Sequence, residues 1–113
     1  MNVETVREYC LSKKGATESF PFDDVSLVIK VMNKMFALID LEGANSIALK
    51  CDPEKAIELR EHYAGIEGAY HFHKKYWNQV YFDRDADDKL IKQLIDHSYD
   101  EVMKRFTKNL RTE

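Results

Sequence analysis

The chain has 113 residues, 44% of them hydrophobic and 33% charged, with a formal net charge of -3. That size suits one domain, residues 1–113, and is too short for two independent cores, while the composition argues against disorder. A negative net charge excludes a positive field over the whole surface, so any nucleic-acid role has to come from a local basic patch on an acidic body.

The N-terminus, MNVETVREYC, lacks the basic-then-apolar layout of a secretory signal. No apolar run approaches the roughly 20 residues of a membrane-spanning helix, so no membrane role and a cytoplasmic location are expected. Val3, Val6 and Cys10 fall at helical spacing with Tyr9 beside them, Asn2 as N-cap and Gly15 as stop. Cys10 and Cys51 are too few and too far apart for a disulfide framework or a zinc ribbon, and are expected as free thiols in the core.

After a loop, ATESFPFDD, alternation puts Val25, Leu27, Ile29 and Val31 on one side of a strand and Ser26, Val28 and Lys30 on the other. Met32-Asn33 makes a tight turn into KMFALID, and SIALKC continues the meander with Ile47, Leu49 and Cys51 opposite Ala48 and Lys50. Asp52-Pro53 then starts a short helix, PEKAIELREHY, as N-cap and first helical residue. The glycines of AGIEGAY end it. Tyr70 to His73 is expected to be extended and to turn at Lys74-Lys75 into a strand, Tyr76 to Asp83, with Asn78, Val80 and Phe82 opposite Trp77, Gln79 and Tyr81. The C-terminal third reads as two helices, one on Leu90, Ile91, Leu94 and Ile95, the other on Val102, Phe106 and Leu110. Ser98-x-x-Glu101 between them matches a capping box at a bend.

Chemistry needs spacing as well as residue types. The chain contains no glycine-rich phosphate loop, nucleophile elbow or His-Glu-x-x-His zinc motif, and Ser98 near Asp100 is better explained by capping than by a triad. Catalysis and cofactors are not expected. His71-x-His73 with His62, or the acids Asp83, Asp85, Asp87 and Asp88, could be imagined around a metal, but histidines beside turns and acids at helix starts have ordinary roles, so no metal is expected. The grouping HFHKKYWNQVYFD is more informative. If helices cover the cleaner apolar side of the sheet, Lys30 and Lys50 project from the wet side. Trp77 and Tyr81 on that side would form an aromatic platform rimmed by Lys30, Lys50, Lys34, Lys74 and Lys75, suited to phosphates and bases. The residues alone leave a plainer option open: a lone tryptophan in the core, with lysines that deter strand aggregation.

The order of HFHKKYWNQV, preceded by SFPFDD, NKMFALI and SIALKCDPEKA and followed by DHSYDEVMKR, resembles the bacterial MmcQ/YjbR family over nearly the whole chain from REYC onward. Met32-Asn33 departs from it, since members often carry glycine there. The resemblance implies an α+β two-layer sandwich of the frataxin/CyaY-like class, with helices packed on one face of an antiparallel sheet. It also implies DNA binding through a double-wing surface, with Lys74, Lys75, Tyr76, Trp77 and Asn78 as wing or platform and Lys30, Lys34 and Lys50 as neighbours. The expectation is thus a non-catalytic DNA-binding or regulatory module. The alternative is a protein- or small-ligand-binding adaptor with no nucleic-acid role.

Overall fold

The computed structural model describes residues 1–69 and 72–112, with side chains as far as residue 106. Its elements are α1 (Val3–Leu11), β1 (Thr17–Ser19), β2 (Ser26–Val31), β3 (Lys34–Asp40), β4 (Ser46–Lys50), α2 (Pro53–His62), β5 (Ile66–Gly68), β6 (Trp77–Tyr81) and α3 (Asp88–Thr112). The strands form one antiparallel sheet in the order β1-β2-β3-β4-β6-β5, and the three helices pack on one side of it. The architecture is the expected α+β sandwich. None of the described helices is long and apolar enough to cross a membrane.

Local chemistry sets the element ends. Asn2 and Thr5 form a reciprocal capping box at α1, and Asp52 accepts from the Lys55 N–H with Pro53 in the first turn of α2. Met32 and Asn33 both take positive φ, 52° and 62°, as a two-residue hairpin whose twist matches its strands requires. Leu27, Ile29, Val31, Ala37, Ile39, Ile47, Leu49 and Val80 share the helix-facing side and build the core with Val6, Cys10, Ile91, Leu94, Ile95 and Val102. Cys10 and Cys51 are buried and unpaired, and burial pushes their thiols up to about 12 and about 11, so both stay protonated.

Three local expectations need correction. The C-terminal third is a single helix of 25 residues, begun by Asp87, whose carboxylate accepts from the Leu90 N–H at 2.8 Å. Ser98 is not a cap. Ile91, Ile95, Ser98 and Val102 recur on one face of that helix and are buried, and the Ser98 hydroxyl donates to the Phe36 carbonyl (2.5 Å) while accepting from the Lys50 N–H (2.9 Å). It takes the place of a rung where β3 and β4 part. Second, Thr17–Ser19 and Ile66–Gly68, read as loop, are the short outer strands of the sheet. β1 is exposed throughout and carries no alternation to read. Third, Tyr70 and His71 lie outside the described residues, and the part of the expected extended run that is described turns back, the Phe72 N–H bonding the Ala69 carbonyl at 3.1 Å.

Candidate nucleic-acid interface

Register and the period of two decide what emerges from the helix-free side. Lys30 follows Val28 there, Lys50 pairs with Trp77, Ala48 with Gln79, and Ser46 with Tyr81. Lys30, Lys50 and Trp77 therefore lie at one end of one face, spanning three strand spacings or roughly 14 Å from β2 to β6. The β2–β3 hairpin brings exposed Lys34 to that end, and the turn before β6 brings exposed Lys74, Lys75 and Tyr76. Arg105 of α3 joins them. The half-buried Lys50 ammonium is held below its usual range first by burial and then by Arg105, with Glu101 opposing and Lys34 adding to the effect. None of the five lysines forms an ion pair among the described residues.

Trp77 is half-buried, not an open platform, because Phe72 stacks on it with centroids 5.0 Å apart and planes at 28°. Tyr76 is more exposed and sits beside His73 (5.1 Å) and the Lys75 ammonium (5.6 Å). Asn78 departs from the expected site. Strand alternation turns it to the helix side, where it is 2% exposed; its amide donates to the Ala56 carbonyl (3.3 Å) and its Oδ1 accepts from Arg60 (3.3 Å). Arg60 also donates to the Lys74 carbonyl at 2.7 Å. Asn78 and Arg60 thus brace the basic turn from behind. Nothing in the sequence marks Arg60, which reads as an ordinary cation in the last turn of a helix.

The opposite end of the same face is acidic. Asp23, Asp40 and Glu42 border a cleft of about 680 Å³, walled also by Phe22, Leu38, Phe72 and Tyr81 and by the amides of Asn45 and Gln79. Asp23 is held below the usual carboxylate range by the Val25 N–H and the Ser26 hydroxyl. The Tyr81 hydroxyl donates to Glu67 at 2.8 Å. Charge on this face is therefore segregated, which accommodates a basic edge within a chain of net charge -3.

Three of the four acids considered around a metal have other duties. Asp85 accepts from the Ala64 and Gly65 N–H groups (2.8 and 2.7 Å), Asp87 caps α3, and Asp88 pairs with the terminal ammonium at 2.7 Å. His71 lies outside the described residues, and the His62 ring packs edge-on against Tyr63. Among the described residues no three histidine, cysteine or acidic side chains are grouped to hold a metal ion.

Residues 11–101 match the YjbR family model. The chain belongs to the YjbR family. It is 32% identical to the uncharacterised protein YjbR of Escherichia coli K12, over 91% of this chain and 88% of that one. Against YbdF of E. coli O157:H7 the identity is also 32%, over 96% and 93%. Among solved structures it is similar to Deinococcus radiodurans DR2400, a DUF419 domain, with TM-score 0.84 and 37% identity over 90% of this chain and 78% of that one. A Pseudomonas syringae protein solved by crystallography gives TM-score 0.72 and 27% identity, over 87% and 96%. In this YjbR domain two of the stretches that carry the family likeness do different things: SFPFDD contributes Phe22 and Asp23 to the acidic cleft, and KKYWNQ contributes the basic turn and its brace.

Proposed function

We propose that this YjbR domain is a non-catalytic module that binds the phosphate backbone of nucleic acid at the basic end of its helix-free sheet face. The observation that carries the reading is register, which puts Lys50 beside Trp77 at the same end of one face as the hairpin that carries exposed Lys34. Cations gathered at one end of a face whose cleft-lining carboxylates lie at the other favour an anion, even with Glu101 of α3 acting on Lys50. Lys30, Lys74 and Lys75 extend that edge, and Tyr76 is the exposed ring beside it. Because Phe72 already covers the Trp77 ring, sugar–phosphate contacts carry more of the interaction than base stacking, and sequence preference is weak. The absence of catalysis is part of the proposal: both thiols are buried and protonated, and Ser98 is locked between two backbone groups.

Fluorescence anisotropy with duplex and single-stranded DNA across a salt series tests the reading. About four phosphate contacts predict a log K against log salt slope of roughly -3.6 on duplex, and a Lys30/Lys34/Lys50→Ala variant should lose most of the binding while keeping its melting temperature. No binding to either DNA at low salt, or binding indifferent to salt, overturns it. The acidic cleft favours a second reading, an adaptor for a small ligand or protein without a nucleic-acid role. In that case DNA fails to bind and the triple variant behaves as the parent.

A further inference from the structure

We propose that the cleft at the acidic end of the sheet is a binding site for an aliphatic amine, an ammonium group carried on an apolar stem. This does not rest on the nucleic-acid reading, since cleft and basic edge share no lysine. Volume comes first: about 680 Å³ is in the range of small-molecule sites and well beyond a water pocket. The walls come next. Phe22, Val25, Leu38 and Phe72 provide apolar surface, and Phe22 is 66% exposed, with Phe20 nearby at 49%. Aromatic rings held in water by a short loop gain free energy when a stem packs on them.

Charge then selects the ligand. The polar lining consists of the carboxylates of Asp23, Asp40 and Glu42, the amides of Asn45 and Gln79, and the hydroxyls of Ser26, Ser46 and Tyr81, with no lysine, arginine or histidine among the described residues. Arg84 stacks on the Tyr81 ring at 4.4 Å but is not part of the lining. An ammonium has three donors and no acceptor, and this lining offers it acceptors. Register sets the carboxylates together: Asp40 lies across from Ser26, whose hydroxyl donates to Asp23 at 3.1 Å, and the Glu42 N–H donates to Asp40 at 3.0 Å. Gln79, also in the lining, donates its amide to Ser46 at 2.7 Å, so its carbonyl oxygen is not used in that bond. Among the described residues Asp40 accepts a hydrogen bond on one carboxylate oxygen alone, and the second oxygen of Asp23 accepts only the Ser26 hydroxyl, so both carboxylates have room to accept from an ammonium. The lining thus matches both ends of an amine, its charge and its stem.

Titration of the full chain with pentylamine, followed by amide chemical shifts, tests the site. The expected result is saturable shifts at Ser26, Leu38 and Gln79 with a dissociation constant between about 10 µM and 1 mM. Asp40→Asn and, as a variant whose side chain supports no loop, Glu42→Gln should each weaken binding by about five- to tenfold, and Phe22→Ala by about threefold. Lys30→Ala should leave it unchanged. Equal shifts with pentanol, equal shifts with sodium chloride at matched ionic strength, or undiminished binding by both acid variants would each overturn the proposal. Loss of DNA binding with pentylamine binding retained, or the reverse, would separate this site from the basic edge.

Discussion

The two sides of the one sheet obey opposite rules. On the helix side nearly every position is apolar, and the two polar side chains buried between sheet and helices, Asn78 and Ser98, have their hydrogen bonds made by backbone or by Arg60. On the other side Val28 and Ala48 are also buried, but around them the charges divide into a basic end and an acidic end. One side holds the domain together through packing; the other carries charge patterns that packing does not require. Consecutive residues of β6 show the contrast: Trp77 faces the basic end, and Asn78 is sealed beneath it.

The largest test of that contrast is in the core. Phe36→Ala removes a fully buried ring that meets Tyr99 edge-on at 5.4 Å, and should cost about 3–5 kcal/mol in urea unfolding. Lys30→Ala on the open side should stay within about 0.5 kcal/mol of the parent. Next, Asn78→Ala removes the buried amide that links the Ala56 carbonyl to Arg60, and should cost about 1–3 kcal/mol. It should also loosen the Lys74-Lys75 turn, seen as faster amide exchange there. If Asn78→Ala changed neither stability nor exchange, the brace would be no brace.

Smaller effects are expected at the turn and at a histidine. Met32 holds φ 52° without the freedom of glycine, so Met32→Gly should stabilise the fold by about 0.5–1 kcal/mol, read as a higher melting temperature. His97 Nε2 accepts from the Asp52 N–H at 3.1 Å, which needs a neutral ring. Burial first, and then Lys55, lowers its pKa below the ordinary 6.5, against Glu101, Asp52 and Asp100. A lowered folded pKa means that the unfolded chain takes up the proton first as pH falls. The contribution is therefore complete above 6.5 and is lost as the pH drops through the folded value. His97→Gln should flatten that part of a stability–pH profile; an unaltered profile would remove His97 from it.

Much of the framework could be read from residues alone because the signals are local. Asn2, Asp52-Pro53 and the alternation of Leu27, Ile29 and Val31 act within a few residues, and each appears where the pattern puts it. Ser98 misled for the same reason: Ser-x-x-Glu is a valid local start signal, but the buried stripe running through it favours one continuous helix. The exposed β1 and the three-residue β5 have no periodicity to detect, and pair only because longer strands lie beside them. Of the candidate site, Lys30, Lys50 and Trp77 followed from parity, while Arg60, Arg105 and the cleft had no local signature.

What the amino-acid order determined by itself was the longer strands with their two faces and the first two helices with their caps, since a period of two or 3.6 is written in neighbouring residues. Which residues meet was decided only when the chain folded: strand order and register set Lys50 beside Trp77, and Asp40 beside Ser26, across separations that no short window spans. Segregated charge on one face is a product of that long-range pairing, and so are the basic edge and the acidic cleft.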